Sequence, residues 1–205
     1  SLLRQGGMSI LVLVGMFDQV ALQAARGDYQ GAIQALRDVE AECQGMDARV
    51  YLFPCNTLRL QFQVDQGETA GIAEWLKTVN LEIGAHLNAG RLDELCLAAR
   101  FLTALGRPAE ALQLLEEVEK VARGTGCDGY LVYLLTHRAT AYKKLGDERQ
   151  ALACLQDALQ LGEPEGYARP FLMLGEPMRE LLRTMQRRGT SPDFLARLLV
   201  MFARQ

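Results

Sequence analysis

The stretch Leu105-Gly106-Arg107-Pro108-Ala109-Glu110-Ala111-Leu112 reads as the end of one helix and the beginning of the next. Glycine accepts the left-handed conformation that stops a helix, and proline in a first turn forfeits no helical hydrogen bond. The same punctuation returns in Leu145-Gly146-Asp147-Glu148-Arg149-Gln150-Ala151-Leu152 and in Gly27-Asp28, where an aspartate stands as N-cap. Working outward, Gly27, Gly67, Gly106 and Gly146 fall at steps of 40, 39 and 40 (67−27, 106−67, 146−106). Nine residues after each comes a leucine: Leu36, Leu76, Leu115 and Leu155. Five residues after come Ala32, Ile72, Ala111 and Ala151, and twelve after come Val39, Val79, Val118 and Ala158. Apolar residues at that spacing share one face of a helix, as in the stripe Ala111, Leu112, Leu114, Leu115 and Val118.

A repeat of this length, one helix pair per copy, predicts an all-α chain: a right-handed α-α superhelix, or tetratricopeptide-like solenoid, of about four helix pairs plus a helical C-terminal cap. Helices are expected near 8–25, 29–43, 48–65, 69–79, 91–105, 108–123, 128–145, 148–161, 167–187 and 191–203. Val79–Asn88, broken by Asn80, Gly84, His86 and Asn88, reads as a loop between repeats, and Gly175-Glu176-Pro177 as a kink or division. Four repeats are placed in 1–166 and a capping segment leading to a missing C-terminal module in 167–205. Charge follows that division, since 167–205 carries seven Arg against three acids, +4, and 1–166 the balancing −7. The serine at position 1 suggests a piece of a longer chain.

Composition narrows the function by exclusion. The 205 residues, 49% hydrophobic and 23% charged with a net charge of −3, describe a folded soluble unit and not a general polyanion binder. At this length, between about 150 and 300 residues, roughly 70% of the unfolded surface can be buried. Cys43, Cys55, Cys96, Cys127 and Cys154 form an odd set without a C-x-x-C spacing and read as reduced, buried thiols of a cytoplasmic protein. The apolar run Ile10–Phe17 is too short to cross a bilayer and has no signal-peptide flanks, so no membrane contact is expected.

Catalytic patterns do not assemble. His86 and His137 are far apart in the chain without a ligand at i+3 or i+4, so no metal site is expected. Ser9 and Ser191 lie in no G-x-S-x-G elbow, and no G-x-x-x-x-G-K-[ST] phosphate cradle occurs. Glu40/Glu42, Glu116-Glu117 and Glu163/Glu165 read as solvated faces or caps, Trp75 as a packing residue, and Arg183, Arg187 and Arg188 as a solvated basic face. The chain is therefore expected to be no enzyme and to hold no cofactor.

Binding is the better-supported reading, because the first helix of every pair lines the concave surface of a solenoid. Counting back from each glycine by thirteen, ten, six and three residues selects Thr57, Gln61 and Val64, then Asp93, Cys96, Arg100 and Thr103, then Tyr133, Thr136, Thr140 and Lys143. His137 shares a helix face with Tyr130 and Tyr133. The candidate ligand residues are Thr57, Gln61, Asp93, Arg100, Tyr133, Thr136, His137 and Thr140, a set suited to a polar uncharged or weakly anionic small molecule held by hydrogen bonds and ring stacking.

Two longer strings add a resemblance. Leu97-Ala98-Ala99-Arg100-Phe101-Leu102-Thr103-Ala104-Leu105-Gly106-Arg107, and above all Leu161-Gly162-Glu163-Pro164-Glu165-Gly166-Tyr167-Ala168-Arg169-Pro170-Phe171-Leu172, resemble the MalT-like superhelical (tetratricopeptide-like) sensor domain of large ATP-dependent LuxR-family transcriptional regulators. Phe194-Leu195-Ala196-Arg197-Leu198-Leu199 is similar to the helix before the linker to the DNA-binding domain in those proteins, while Met173-Leu174 stands where the family more often has an acidic pair. The resemblance implies a bacterial, cytoplasmic activator whose solenoid receives a small-molecule inducer or a regulatory protein and controls self-association. It also implies an NTPase module upstream and a helix-turn-helix downstream, so that DNA is reached only through a missing module. A free-standing tetratricopeptide-like scaffold that holds a peptide in its groove is the alternative. The thermal response of the chain to metabolites separates the two.

Overall fold

A computed structural model describes residues 15–20, 22–24, 26–45, 52–81, 88–124, 128–189 and 193–203. His86, Cys127, Ser9, Ser191 and the start of the Ile10–Phe17 run lie outside the described residues. All regular structure among the described residues is helical. In chain order these are α1 (helical residues 15–20 and 22–24), α2 (Tyr29–Gly45), α3 (Leu52–Asp65), α4 (Ile72–Thr78), α5 (Ala89–Ala104), α6 (Pro108–Arg123), α7 (Asp128–Leu145), α8 (Glu148–Gly162), α9 (Arg169–Leu172), α10 (Gly175–Arg187) and α11 (Asp193–Phe202). The expected all-α helical repeat is the fold of the chain, and the expected 167–187 segment divides into α9 and α10 just before Gly175-Glu176-Pro177.

The repeat glycines do what their spacing implies. Gly27, Gly67, Gly106 and Gly146 have φ of 75, 82, 76 and 90°. At each, the glycine N–H and the next N–H reach back to two carbonyls of the preceding helix, as in Gly106 to Thr103 at 3.1 Å with Arg107 to Leu102 at 2.9 Å. This is the double bond pattern by which a left-handed residue closes a helix. The helices that follow start as read: Asp28 and Asp147 accept from the N–H of Gly31 and Gln150 at 2.9 and 3.0 Å, and Pro108 opens α6. Asn88 caps α5 in the same way, accepting from the Arg91 N–H at 2.9 Å.

Two copies of the pattern escaped the spacing count. Gly166 (φ 68°) closes α8 by the same pair of bonds, and Gly189 (φ 81°) ends α10. Leu198 follows Gly189 by nine residues and is fully buried, so α10 and α11 form a further pair with the repeat's own punctuation. Its step from Gly146 is 43 (189−146), which is why a search at 40 passes over it.

The described residues fall into two compact units, one within Ser1–Gly71 and one within Ile72–Arg204. In the first, α1, α2 and α3 bury Val20, Leu36, Val39, Cys43, Cys55 and Phe62 together. In the second, one cluster joins α5, α6 and α7 around Leu95, Leu115 and Leu134, and another joins α7 to α11 around Leu155, Phe171, Met178 and Leu198. Trp75 of α4 is buried against Phe101, ring centroids 4.9 Å apart at 81°, the packing role expected for it. Glu119 of α6 is buried and accepts from Arg123 Nε at 3.0 Å and from Arg138 of α7, tying adjacent pairs by charge.

Candidate functional site

First helices α5 and α7 pack against each other, and α7 also meets α9 and α10, so their outward residues share one side of the second unit. Here Tyr133 of α7 is half-buried against the cluster that contains Leu92 and Cys96, and its hydroxyl reaches Met173 Sδ at 3.6 Å. Asp93 of α5 and Arg169 at the start of α9, both exposed, lie close enough to this ring for their charges to act on it. Each acts electrostatically on Tyr133 and Arg169 acts on Asp93, yet the two form no ion pair with each other or with any described residue. Burial raises the Asp93 carboxyl and the Tyr133 phenol above their ordinary values, and Arg169 draws both part of the way back. Beneath them Cys96 is buried and its thiol is pushed well up, first by desolvation and then by Asp93, so it is a neutral packing group.

The string that carries the family resemblance explains how Arg169 arrives there. Gly166 makes the turn, Tyr167 lies against Gly129, Pro170 and Phe171 are buried, and Phe171 meets Phe194 edge-on at 5.8 Å. Gly162 lies beneath both rings, where an added Cβ would sit 3.4 Å from Phe171. Arg169 and Glu165 are the members of this string that carry an exposed charge without an ion pair among the described residues, while Glu163 lies 3.9 Å from Arg197.

The other sequence-selected residues are placed as follows. Thr57 and Gln61 are half-buried on α3 in the first unit. Arg100 is half-buried on α5 and acts electrostatically on His137. Thr136 and His137 are interior: Thr136 Oγ1 donates to the Tyr133 carbonyl at 2.8 Å, and His137 Nδ1 lies 2.8 Å from the same oxygen. A carbonyl only accepts, so Nδ1 carries the proton. Burial holds the His137 pKa down at about 4, with Arg100 adding to the effect, and the side chain is a neutral framework group. Thr140 and Thr103 are half-buried and give their hydroxyl protons to the carbonyls of His137 and Ala99, each at 2.8 Å. Lys143, at the far end of α7, pairs with Glu180 and donates to the Pro177 carbonyl at 3.3 Å.

Structure therefore joins Asp93 to Tyr133 and adds Arg169, which the register count missed because it belongs to a short helix outside the counted pairs. Its signal in the sequence was the Glu163–Phe171 string, read for family and not for site. Two grooves lie elsewhere in this unit. A cavity of about 560 Å³ is lined by Lys143, Glu176, Glu180 and Arg183, which pair as Lys143–Glu180 and Arg183–Glu176, and by Arg187, whose guanidinium donates to the Arg183 carbonyl and the Thr184 hydroxyl. Another of about 690 Å³ between α4 and α6 has a floor of Leu76, Leu81, Leu102 and Leu114 and a rim on which Arg107 bonds Glu110 and Lys77 bonds Glu74. Convergent polar groups that the protein leaves without partners mark a ligand site more specifically than volume does. By that criterion the Asp93–Tyr133–Arg169 face is the candidate.

Among the described residues no group of three or more His, Cys, Asp or Glu is arranged to hold a metal, and no helix is long and apolar enough to cross a membrane. Cys43, Cys55, Cys96 and Cys154 are free and buried, as the cysteine reading expected of them. A search of curated proteins found no match to the chain. A family model, the MalT-like TPR region, matches residues 2–188. With nine-tenths of its length covered, by the repeat glycines and the Glu163–Phe171 string alike, the chain belongs to the MalT-like TPR family.

Proposed function

We propose that this helical repeat domain, which is not itself catalytic, is the effector-sensing region of a bacterial, cytoplasmic LuxR-type activator, and that it receives its effector on the face around Tyr133. The observation that carries this reading is the match to the MalT-like TPR region over residues 2–188, and the electrostatic influence of Asp93 and Arg169 on Tyr133, from three different elements, selects the face to test first. Because α5, α7 and α9 belong to successive parts of the repeat, a ligand bridging them would favour one packing of those parts over another. It would shift the equilibrium by its differential affinity for the two arrangements and by no more. The state is then passed to self-association and to adjoining modules of the parent regulator, with DNA contacted only through a helix-turn-helix module there.

Differential scanning fluorimetry of the chain against neutral sugars, carboxylates and amino acids tests the reading. One chemical class should raise the melting temperature saturably, and Tyr133→Ala, which also strips a half-buried ring from the α5–α7 cluster and so starts from a lower unliganded melting temperature, should show no rise with the same compound. A response that survives Tyr133→Ala puts the effector elsewhere. Sedimentation with and without the active compound then reads self-association directly.

A further inference from the structure

We propose that the cavity between the end of α7 and the exposed face of α10 is a binding site for a small phosphate dianion, held by the guanidinium groups of Arg183 and Arg187 and lined by Lys143 from the other helix. It adds a second site to the sensing role proposed above, on other residues: Lys143 stands ten residues after Tyr133, roughly 15 Å further along α7.

Three observations converge on it. The first is geometric. The cavity, of about 560 Å³, lies within the range of about 300–1,000 Å³ usual for small-molecule sites, and its lining comes from the first helices of two successive pairs. The register that picks Lys143, three residues before Gly146, picks Glu176, Arg179, Arg183 and Gln186 when counted back from Gly189 (189−13, 189−10, 189−6, 189−3). Of these, Glu176, Arg183 and Gln186 line the cavity.

The second is charge. Glu180 pairs with Lys143 and Glu176 with Arg179, so Arg183 is left 3.8 Å from the remaining Glu176 oxygen, beyond hydrogen-bond reach. Arg187 has no ion pair among the described residues: it donates to the Arg183 carbonyl at 3.4 Å and the Thr184 hydroxyl at 3.2 Å, two neutral acceptors of its own helix. Lys143, Arg179, Arg183 and Arg187 less Glu176 and Glu180 leave two positive charges in excess (4−2), which a phosphate dianion neutralises. The Glu180 carboxyl feels that excess, held below its ordinary range first by its bond to Lys143 and further by Arg179 and Arg183.

The third is spacing. Arg183 and Arg187 stand one helical turn apart on an exposed face, where like charges repel. A guanidinium fork takes phosphate oxygens two at a time, and an anion with three acceptor oxygens serves both forks at once. The basic face expected from the sequence to be merely solvated is therefore divided: Arg188 closes on Glu148, while Arg183 and Arg187 line the cavity.

Calorimetric titration of the 205-residue chain at fixed ionic strength tests this, with glycerol phosphate, glucose phosphate, AMP and inorganic phosphate as probes beside glycerol, glucose and adenosine. At least one phosphate should bind saturably, and the phosphate-free parent of any ester that binds should bind at least about tenfold more weakly, as expected for loss of a charge-assisted bond. Arg183→Gln and Arg187→Gln should each weaken binding about tenfold or more without moving the melting temperature, since both side chains are exposed. Arg188→Gln, outside the cavity lining, should leave the affinity unchanged. Should a glutamine variant fail to fold, Arg187→Lys, which keeps the charge and loses the fork, should still bind more weakly than wild type. Inorganic phosphate that matches the best ester makes the free anion the occupant, and an ester that outbinds it makes a phosphorylated metabolite the occupant; either supports the site.

No saturable binding by any of the four phosphates overturns the proposal, as does a phosphate-free parent that binds as tightly as its ester. Affinity unchanged in both Arg183→Gln and Arg187→Gln places the phosphate elsewhere. Equal losses in Arg187→Gln and Arg188→Gln also overturn it, because phosphate would then be answering the overall positive charge of this segment and not the cavity.

Discussion

Helices α4 and α8 each follow a glycine in the left-handed region, Gly67 and Gly146, and each buries the residue five positions later, Ile72 and Ala151. Thereafter they differ. Helix α8 begins two residues after its glycine, is capped by Asp147, and runs for 15 residues with Leu155 and Ala158 fully buried. Helix α4 begins only at Ile72, because Gly71 at φ 83° occupies the turn where the others have already started. It ends after seven residues, with Thr78 Oγ1 turned back to the Trp75 carbonyl at 2.7 Å and Arg91 of α5 donating to the Asn80 carbonyl. Within α4 it is Trp75, drawn in by Phe101, that takes the buried place, and Leu76 is left half-buried on the floor of a groove. A repeat signature thus sets where a helix is announced, while the largest neighbouring side chain sets which face of it goes inward.

The sharpest way to break this comparison is to truncate the same repeat position in both helices. Leu155→Ala empties a fully buried site between α7, α8 and α10 and is expected to cost about 3–4 kcal/mol. Leu76→Ala removes a side chain already in contact with solvent and should cost about 1 kcal/mol or less. Urea denaturation of the two variants measures both, and equal losses would show that Leu76 is as much a core residue as Leu155.

Helix α7, partner of α8, adds a pH dependence to the well-packed side. His137 titrates near 4 when folded and near 6.5 when unfolded, so between those values the unfolded chain binds more protons. Stability from this group is complete above pH 6.5 and declines as the pH falls toward 4, by up to about 3 kcal/mol. In His137→Leu that part of the acid slope should vanish, although the variant itself starts lower for want of the bond to the Tyr133 carbonyl. An identical slope in variant and wild type would place the sensitivity among the carboxylates instead.

The same contrast explains what the sequence could and could not tell. Glycine spacing foretold the turns because φ near 80° is a property of single residues, and the apolar residues five positions later, Ala32, Ile72, Ala111 and Ala151, foretold burial, since all four are fully buried. The candidate site was less legible. The count back from Gly146 chose Tyr133, which is half-buried, and also Thr136, and helix periodicity added His137; the last two are interior. Helix α7 packs against α5, α6, α8, α9 and α10, which narrows its free face to fewer positions than a counted register assumes. Arg169 was invisible to counting for the opposite reason: it sits on a short helix that no repeat period addresses, and tertiary packing alone brings it beside Tyr133.

A smaller effect tests whether the turns themselves are equivalent where the helices are not. An added Cβ meets nothing within 4 Å at Gly67, Gly106 or Gly146, so alanine there is penalised by backbone conformation alone, about 1–2 kcal/mol at each. Equal losses in the three variants, read by urea denaturation, would confirm that α4 departs from α8 only after a shared turn. A markedly cheaper Gly67→Ala would mean that the turn before α4 relaxes when challenged, and that the comparison has to be moved back into the turn.

The smallest expected difference concerns how the well-packed second helices begin. Asp147 accepts from the Gln150 N–H at 3.0 Å, whereas Arg107 makes no side-chain cap and α6 relies on Pro108 at its first turn. Removing a carboxylate cap strands one of the helix's unpaired N–H groups, so Asp147→Ala should cost about 1 kcal/mol. Arg107→Ala should produce no measurable change, since the pair it loses with Glu110 is exposed and proline has already preset the backbone. Should both substitutions be silent, the start of α8 would be held by the tertiary burial of Ala151 and Leu155 and not by its cap. Loss at Asp147 alone would show that an aspartate and a proline are two independent solutions to the same break in the chain, which is what lets one repeat period tolerate different residues at the position after its glycine.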